Sequence, residues 1–386
     1  MGAAQFGVYV HIPFCASRCD YCDFATWTDR AHVIDDYVAA CITDLRRRQR
    51  DLPVATSVFF GGGTPSLLDA AQLTAILDAI PRAPHGEVTV ECNPDSVDLD
   101  KLQAYRDAGV NRVSFGVQSM RLHVLAALGR THDPDNVARA VDAARAAGID
   151  RVNVDLIYGT PGETVDDWAA TLDAALALGP EHVSAYALTV EPGTPLGKAV
   201  AAGTRAAPDD DDQATKYELA DDRLTAAGLP WYEISNWARP GEECRHNLLY
   251  WQGGDYAAIG CAAHGHTSSP KGASRRFWNV RTPERYVAAM AQGSSTEAGC
   301  EALDGREREA ERVMLALRTA RGIKLPVARA DPSRVASCLD DLADLGLVTR
   351  NDDRVVLTRR GRLLGNEVAA RLLAAIEQPT TAIGTR

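Results

Sequence analysis

The chain has 386 residues, of which 46% are hydrophobic and 24% are charged, and its formal net charge is −11. This composition is typical of a globular protein, and about 150 residues per domain gives two or three domains. The acidic balance excludes a nucleic-acid or anionic-membrane binder unless a basic patch is segregated, and no apolar run approaches the roughly 18–20 residues of a membrane-spanning helix.

Residues 6–190 alternate short β-rich runs with longer amphipathic stretches. The predicted strands are 7–11, 57–60, 88–91, 112–115, 152–156 and 182–188. The predicted helices between them are 34–50, 70–79, 99–108, 134–147 and 164–178. This alternation indicates an α/β fold with a parallel sheet covered by helices. Gly109, Gly148 and Gly179 each end a predicted helix. Their spacing favours a partial (β/α) barrel of the TIM type.

Two segments follow that differ from the alternating pattern. Residues 190–207 are rich in Gly, Pro and Thr and are predicted to be a connection, and residues 209–226 are predicted to form a helix with an acidic start. From 231 to 269 the chain is rich in aromatic, His, Gly and Asn residues with little periodicity. Polar and aromatic loops of this kind often bind ligands.

The last part of the chain has a helix–helix–hairpin–helix pattern. Helices are predicted at 307–319, 333–345 and 360–376, with a hairpin of 347–350 and 354–357 between the last two. The pattern is typical of winged-helix domains, but residues 301–386 carry 15 basic against 13 acidic residues. Near-neutral charge favours a protein contact or a lid over DNA binding. We therefore expect a barrel at 1–230, a segment packing on it at 231–300, and a winged-helix-like domain at 301–386.

The chain contains nine cysteines, and no basic, apolar leader precedes the first predicted strand. An odd count without a leader argues against a disulfide framework and leads us to expect a cytoplasmic protein. Cys15, Cys19 and Cys22 form a CxxxCxxC motif directly after the first strand. Thiolates are soft ligands that suit iron–sulfur clusters or zinc. Three thiolates on a 4Fe–4S cluster leave one iron open for a substrate. The alternative is a Cys₃His zinc site using His11 or His32.

Further polar residues fall where predicted strands end. Gly61, Gly62, Gly63 and Thr64 follow the second strand, where glycines would let the backbone approach a ligand. The other candidates are Glu91, Gln118, Asp155 and Arg130. Each alone could be a structural polar residue. The carboxyl ends of barrel strands form one face, which carries the active site in such folds. The carboxylates could bind an ammonium group or ribose hydroxyls, and Arg130 could bind a carboxylate.

Three histidines lie near aromatic residues in the segment after 231. They are His246, in the sequence His246-Asn-Leu-Leu-Tyr250-Trp251, and the pair His264 and His266. A neutral imidazole is a common axial ligand of haem iron. His246 is the preferred candidate because its HNxxYW setting is distinctive. A hydrogen-bonded structural histidine is the alternative at each position.

Taken together, these motifs resemble the radical S-adenosylmethionine (SAM) proteins, and among them the branch related to oxygen-independent coproporphyrinogen III oxidase. The resemblance covers nearly the whole chain. It rests on the cysteine motif, Phe60-Gly-Gly-Gly-Thr-Pro-Ser66, Glu91-Cys-Asn-Pro94, Ser114-Phe-Gly-Val-Gln118-Ser119, Asp155-Leu-Ile-Tyr-Gly159, the HNxxYW motif and the C-terminal helical region.

The resemblance implies that Cys15, Cys19 and Cys22 hold a 4Fe–4S cluster, with SAM docked on its open iron. It implies a SAM region lined by Tyr9, Tyr21, Gly62, Gly63, Thr64, Glu91, Gln118, Arg130 and Asp155. True oxidases carry a further cysteine two residues after the last ligand, where this chain has Phe24, and a longer N-terminal extension.

These departures favour the haem chaperones of the branch over the oxidases. The resemblance then implies haem as cargo, passed to apo-haemoproteins of the respiratory chain, and a homodimer when the cluster is intact. It implies membrane contact only through those partners, and no nucleic acid. Two alternatives remain open at this point: SAM-dependent oxidative decarboxylation of coproporphyrinogen III, and a zinc-stabilised binding module with a DNA-reading tail.

Overall fold

The computed structural model describes residues 5–268, 274–325, 331–351 and 353–377. Ser269, at the end of the predicted polar and aromatic segment, and Asp352, in the predicted hairpin turn, lie outside these residues.

Six consecutive strands form the parallel centre of the main sheet. They are β1 (Phe6–Ile12), β2 (Ala55–Gly62), β3 (Arg82–Cys92), β4 (Arg112–Gln118), β5 (Arg151–Tyr158) and β6 (His182–Ala187). The helices between them are α1 (Ile34–Arg48), α2 (Ala70–Asp78), α3 (Leu99–Asp107), α4 (Leu122–Ala127), α5 (Pro134–Ala146) and α6 (Val165–Ala177). Each strand pairs in parallel with the next. The predicted α/β class with a central parallel sheet is confirmed.

Side-chain alternation along the strands separates the helix-facing core from the inner face. In β1, Val8, Val10 and Ile12 are fully buried and belong to the main hydrophobic cluster. Tyr9 and His11 therefore point to the opposite, inner face. Gly109, with φ +101°, ends α3 as predicted, because a glycine adopts this left-handed conformation without a steric penalty.

Shorter strands extend both edges of the same sheet. They are β7 (Trp231–Glu233), β8 (Asn236–Ala238), β9 (Asp255–Ile259), β10 (His264–Ser268), β11 (Ser274–Asn279) and β12 (Glu297–Leu303). The order across the described sheet is β12-β11-β10-β9-β1-β2-β3-β4-β5-β6-β8-β7. Helices α9 (Arg245–Trp251) and α10 (Pro283–Ala291) lie between these strands in sequence. The prediction of aperiodic loops over 231–269 is wrong, because strands of three to five residues are too short to show a period of two.

The predicted connection at 190–207 also contains regular structure. Helix α7 (Pro195–Ala201) begins after Thr194, whose side chain accepts a hydrogen bond from the Gly197 amide, and α8 (Asp210–Ala226) follows. Thr-Pro is a favourable helix start, since threonine caps and proline fits the first turn. The sequence therefore contained the information for α7, but its short length obscured it.

A second hydrophobic cluster forms the core of the C-terminal part. Its elements are α11 (Gly305–Leu317), α12 (Pro332–Asp344), β13 (Val348–Asn351), β14 (Arg354–Leu357), α13 (Arg359–Leu363) and α14 (Gly365–Glu377). The single helix predicted at 360–376 is divided at Leu364. Gly361 and Gly365 lower helix propensity on both sides of this break.

The C-terminal part attaches at the amino ends of the central strands. Leu303, at the end of β12 and just before α11, pairs with Ser274 of β11, and Ser274 pairs with Ser268 of β10. In the register of β10 with β9 and β1, Ser268 lies beyond the amino end of β1. Arg362 forms a buried ion pair with Asp221 of α8 at 2.6 Å. This arrangement favours a protein-contact role over a lid, because the motif-bearing carboxyl ends lie at the other end. No described helix is both long enough and apolar enough to cross a membrane.

Candidate functional site

The three cysteines of the CxxxCxxC motif lie in a loop that leaves the carboxyl end of β1. The loop is closed at its base, where the Trp27 amide donates to the Pro13 carbonyl at 2.8 Å and the Cys15 amide donates to the Trp27 carbonyl at 3.0 Å. Cys15, Cys19 and Cys22 are free thiols and half-buried. Half-burial suits ligands that must be shielded from water while remaining accessible to a second molecule.

Two of the three motif cysteines, Cys15 and Cys19, each contact a polar residue that follows another strand. The Thr64 hydroxyl lies 3.8 Å from the Cys15 sulfur, and a guanidinium nitrogen of Arg130 lies 3.6 Å from the Cys19 sulfur. Burial raises the pKa of the Cys22 thiol to about 11 and also raises that of Cys15. The thiols of Cys15 and Cys22 therefore keep their protons until a metal displaces them.

The donor set consists of three soft thiolates, which suit an iron–sulfur cluster because each thiolate of a 4Fe–4S cluster binds a different iron. His11, one of the two histidines that a Cys₃His zinc site could use, is engaged elsewhere, by the Tyr9 hydroxyl at 3.1 Å and the Ala25 carbonyl at 3.0 Å.

The glycine run after β2 brings the backbone close to its neighbours. A Cβ on Gly63 would lie 2.6 Å from the Phe14 carbonyl oxygen, and a Cβ on Gly62, which has φ +111°, would lie 2.4 Å from the His11 ring. The Gly62 amide donates to a carboxylate oxygen of Glu91 at 3.1 Å. The run therefore packs against the cysteine loop and against β3 at once.

Glu91 and Asp155 form a pair of half-buried carboxyl groups on the inner face. Burial, followed by the charge of Asp155, raises the pKa of Glu91 to about 8. Burial also raises the pKa of Asp155, against the opposing hydrogen bonds that this carboxylate accepts from Ser114 at 2.6 Å and Asn153 at 2.8 Å. Such a pair retains a proton near neutral pH and would release it to solvent when a cation binds beside the carboxylates.

Gln118 and Arg130 flank the end of β4. Gln118 has φ +65°, which is uncommon for a residue other than glycine and often marks a functional position. Arg130 donates to the Gly116 carbonyl at 2.6 Å, and its Nε is buried without a hydrogen-bond partner. A planar cation with a spare donor is suited to bind a carboxylate.

The two tyrosines implied by the resemblance come from different elements, Tyr9 from β1 and Tyr21 from the cysteine loop itself. Tyr9 is on β1 and lies beside Gly61, while Tyr21 packs with the apolar residues Leu128 and Leu196. All the predicted SAM-region residues keep part of their surface accessible. They are Tyr9, Tyr21, Gly62, Gly63, Thr64, Glu91, Gln118, Arg130 and Asp155.

The structure does not bring His246 to this group. Its ring is 1% exposed, and its nitrogens lie 2.9 Å from the Ser57 hydroxyl and 2.8 Å from the Tyr250 hydroxyl. Its amide donates to Glu87 in the middle of β3. Haem ligation by His246 stays a prediction, and it would require one of these two ring hydrogen bonds to break.

Residues that the sequence did not single out complete the site. Asp20 links the cysteine loop to two other elements, since its amide donates to the Leu128 carbonyl at 3.2 Å and its carbonyl accepts from Leu196 at 2.9 Å. Ser114 and Asn153 orient Asp155. Ser114 of β4 and Asn153 of β5 are inward-facing polar residues in otherwise apolar strands. That pattern in the sequence could have indicated them.

Two family models and one solved structure match this chain. A sequence model of the Radical SAM superfamily matches residues 9–175, and one of the HemN C-terminal domain matches residues 303–364. Among solved structures, the chain is similar to coproporphyrinogen III oxidase (HemN) from Escherichia coli, with a TM-score of 0.79 at 22% sequence identity. That match covers 96% of this chain and 90% of the other, and it shows a shared fold.

Curated relatives match over nearly the whole chain. Heme chaperone HemW of Mycobacterium tuberculosis is 45% identical over 382 residues, which is 97% of this chain and 96% of the relative. Heme chaperone HemW of Escherichia coli is 36% identical over 385 residues, with 95% and 98% covered. A mouse mitochondrial relative, radical S-adenosyl methionine domain-containing protein 1, is 37% identical over 331 residues, with 83% and 75% covered.

Proposed function

This chain belongs to the HemW family of radical SAM proteins, and on that premise we propose that it is a haem chaperone that binds a 4Fe–4S cluster, SAM and haem. In this proposal it passes haem to apo-haemoproteins of the respiratory chain and forms a homodimer when the cluster is intact. The observation that supports the cluster most directly is the loop of three free, half-buried thiols at the strand ends, with Arg130 beside Cys19.

Cys15, Cys19 and Cys22 would hold the cluster, which when bound supplies one electron to the sulfonium of SAM. The chain's own residues would orient that ligand. Arg130 would bind the SAM carboxylate, because its Nε has no hydrogen-bond partner and its charge lies next to the cluster ligand Cys19. Glu91 and Asp155 would accept hydrogen bonds from the ammonium or ribose groups, and a bound cation would lower their raised pKa values.

Chaperone activity is preferred over oxidative decarboxylation because of the position after the cluster motif. Phe24 stands where the oxidases are expected to carry a further cysteine, and its side chain is 60% exposed. An exposed aromatic ring beside the site is costly in water and is suited to contact a flat apolar ligand or a partner. The fold likeness to the oxidase does not favour either activity.

One sample can test both activities. The protein is reconstituted anaerobically, titrated with haemin, and then incubated with coproporphyrinogen III, SAM and a reductant. We expect a saturable change in the Soret band and no protoporphyrinogen above the background of the Cys19→Ala variant. Protoporphyrinogen formation that requires an intact cluster would contradict the chaperone proposal, and so would failure to bind haemin.

A further inference from the structure

A row of side chains runs from the SAM region across β9, β10 and β11 on the inner face. Tyr9 of β1 pairs with Ala258 of β9, and His264 of β10 pairs with Trp278 of β11. His266 pairs with Tyr256, so His264, two residues earlier on the antiparallel strand, stands opposite Ala258. Adjacent strands are about 4.8 Å apart. His264 is therefore about 10 Å from Tyr9 along the sheet.

The His264 imidazole is the accessible group in this row. It is exposed, and within the described residues its ring nitrogens have no hydrogen-bond partner. Its ring stacks on Trp278, with centroids 5.9 Å apart and planes at 27°. The ring nitrogens of His11, His182, His246 and His266, by contrast, are all hydrogen-bonded.

Small residues on each side keep this ring accessible and oriented. A Cβ on Gly299, which pairs with Trp278, would lie 2.5 Å from the indole ring, so glycine allows Trp278 to lie over β12. Ala258, which lies between His264 and Tyr9 in the strand register, is a small buried residue, and Tyr9 packs against its cluster. Because Trp278 stacks beside the imidazole, it restricts rotation of the His264 ring while the side chain stays exposed.

The electrostatic surroundings favour the neutral imidazole. Partial burial and the nearby Arg276 guanidinium lower the pKa of His264, and Glu301 opposes this only in part. Arg276 itself is paired with Glu301 at 2.6 Å. A neutral imidazole at physiological pH has the free lone pair that ligates iron.

We propose that His264 is the axial ligand of the haem iron and that Trp278 is a positioning residue that orients its ring. The inference rests on the proposed haem-binding function and assigns it a place beside the SAM region. It differs from the sequence-based prediction of His246, whose ring is buried and fully hydrogen-bonded.

The test is a titration of the reconstituted full-length protein with haemin, followed by absorption and electron paramagnetic resonance spectra. For His264→Ala we expect at least tenfold weaker binding and loss of the imidazole-ligated low-spin spectrum, with recovery of that spectrum on addition of free imidazole. For His264→Met we expect a changed axial-ligand spectrum. Trp278→Phe should bind like the wild type, and Trp278→Ala should bind more weakly. His85→Ala, at an exposed histidine elsewhere, is the control.

The outcomes separate the two proposals. If His264→Ala keeps the wild-type spectrum and affinity while the wild type binds haemin, this inference is wrong and the chaperone function stands. If the wild type itself does not bind haemin, the chaperone function is wrong. Loss of the low-spin spectrum in His264→Ala without recovery by imidazole would also contradict direct ligation.

Discussion

The guanidinium group of Arg130 lies 3.6 Å from the sulfur of Cys19. These residues are 111 positions apart in sequence, and the return of β1 and β4 to one end of the sheet brings them together. A cation placed beside a cluster ligand can bind the carboxylate of a molecule docked on the adjacent open iron. This contact connects the two halves of the proposed site.

Arg130→Ala should weaken SAM binding more than it affects the cluster. Removing a charge-assisted hydrogen bond costs about 1.5–3 kcal/mol, which is roughly a tenfold to hundredfold loss in affinity. The measurement is equilibrium dialysis of SAM against reconstituted protein with iron and sulfide determined on the same sample. Arg82→Ala, which removes contacts to the Leu77 and Ala108 carbonyls, is the matched control. Equal SAM affinity in both variants would remove Arg130 from the site.

Gly63→Ala should disturb the cysteine loop. The added Cβ would lie 2.6 Å from the Phe14 carbonyl and 2.8 Å from the Ile12 carbonyl, both backbone atoms that cannot rotate away. We expect a loss of about 1–3 kcal/mol in the free energy of unfolding and less iron after reconstitution. Gly193→Ala is the control, since its Cβ would have no heavy atom within 4 Å. Wild-type stability and iron content in Gly63→Ala would show that the run is not tightly packed.

The raised pKa of Glu91 predicts a pH dependence of stability. The folded protein holds this proton up to about pH 8, whereas the ordinary pKa is 4.5. Between these values the native state binds more protons than the unfolded state, so stability falls as pH rises. Glu91→Gln should reduce that slope by at most about 1.4 kcal/mol per pH unit.

Urea unfolding of cluster-free protein at several pH values measures this slope. The exposed residue Glu218 provides the control variant Glu218→Gln, which should keep the wild-type slope. Burial also raises the pKa of Glu233, to about 7, and this contribution is the same in all three proteins. A Glu91→Gln slope equal to that of the wild type would show that Glu91 is already ionised at neutral pH.

His246→Ala should act mainly on stability. The substitution leaves the Ser57 and Tyr250 hydroxyls without their partner inside the barrel, which costs about 2–4 kcal/mol of unfolding free energy. The exposed His85→Ala variant should stay within about 0.5 kcal/mol of the wild type. If His246→Ala unfolds like the wild type but loses the haem spectrum, His246 is the haem ligand and its structural role is minor.

The sequence predicted the central strands well because they depend on local patterns. Buried strands read as β-rich apolar runs, and Gly109 and Gly148 mark helix ends through their own backbone conformation. The polar residues at strand ends were predicted to meet because parallel strands share a direction. The contacts between Glu91 and Gly62 and between Thr64 and Cys15 follow from that rule.

Features set by long-range packing were not predictable in this way. The HNxxYW motif has a distinctive composition, but composition does not reveal against which end of the sheet helix α9 packs. His246 is buried there, while His264, in a less distinctive setting, is exposed beside Trp278. Strands β7 and β8, with three residues each, also depend on pairing rather than on their own propensity, since β8 pairs with β6 and β7 pairs with β8.

The central claim is a cluster held by three thiolates, with an open iron that binds SAM. Electron paramagnetic resonance of the reduced, reconstituted protein tests it most directly, with spectra recorded before and after addition of SAM. We expect a 4Fe–4S signal whose g values shift on addition of SAM, no such signal in Cys19→Ala, and a wild-type signal in the control Cys300→Ala. A signal that SAM leaves unchanged, or one that persists in Cys19→Ala, would contradict the account.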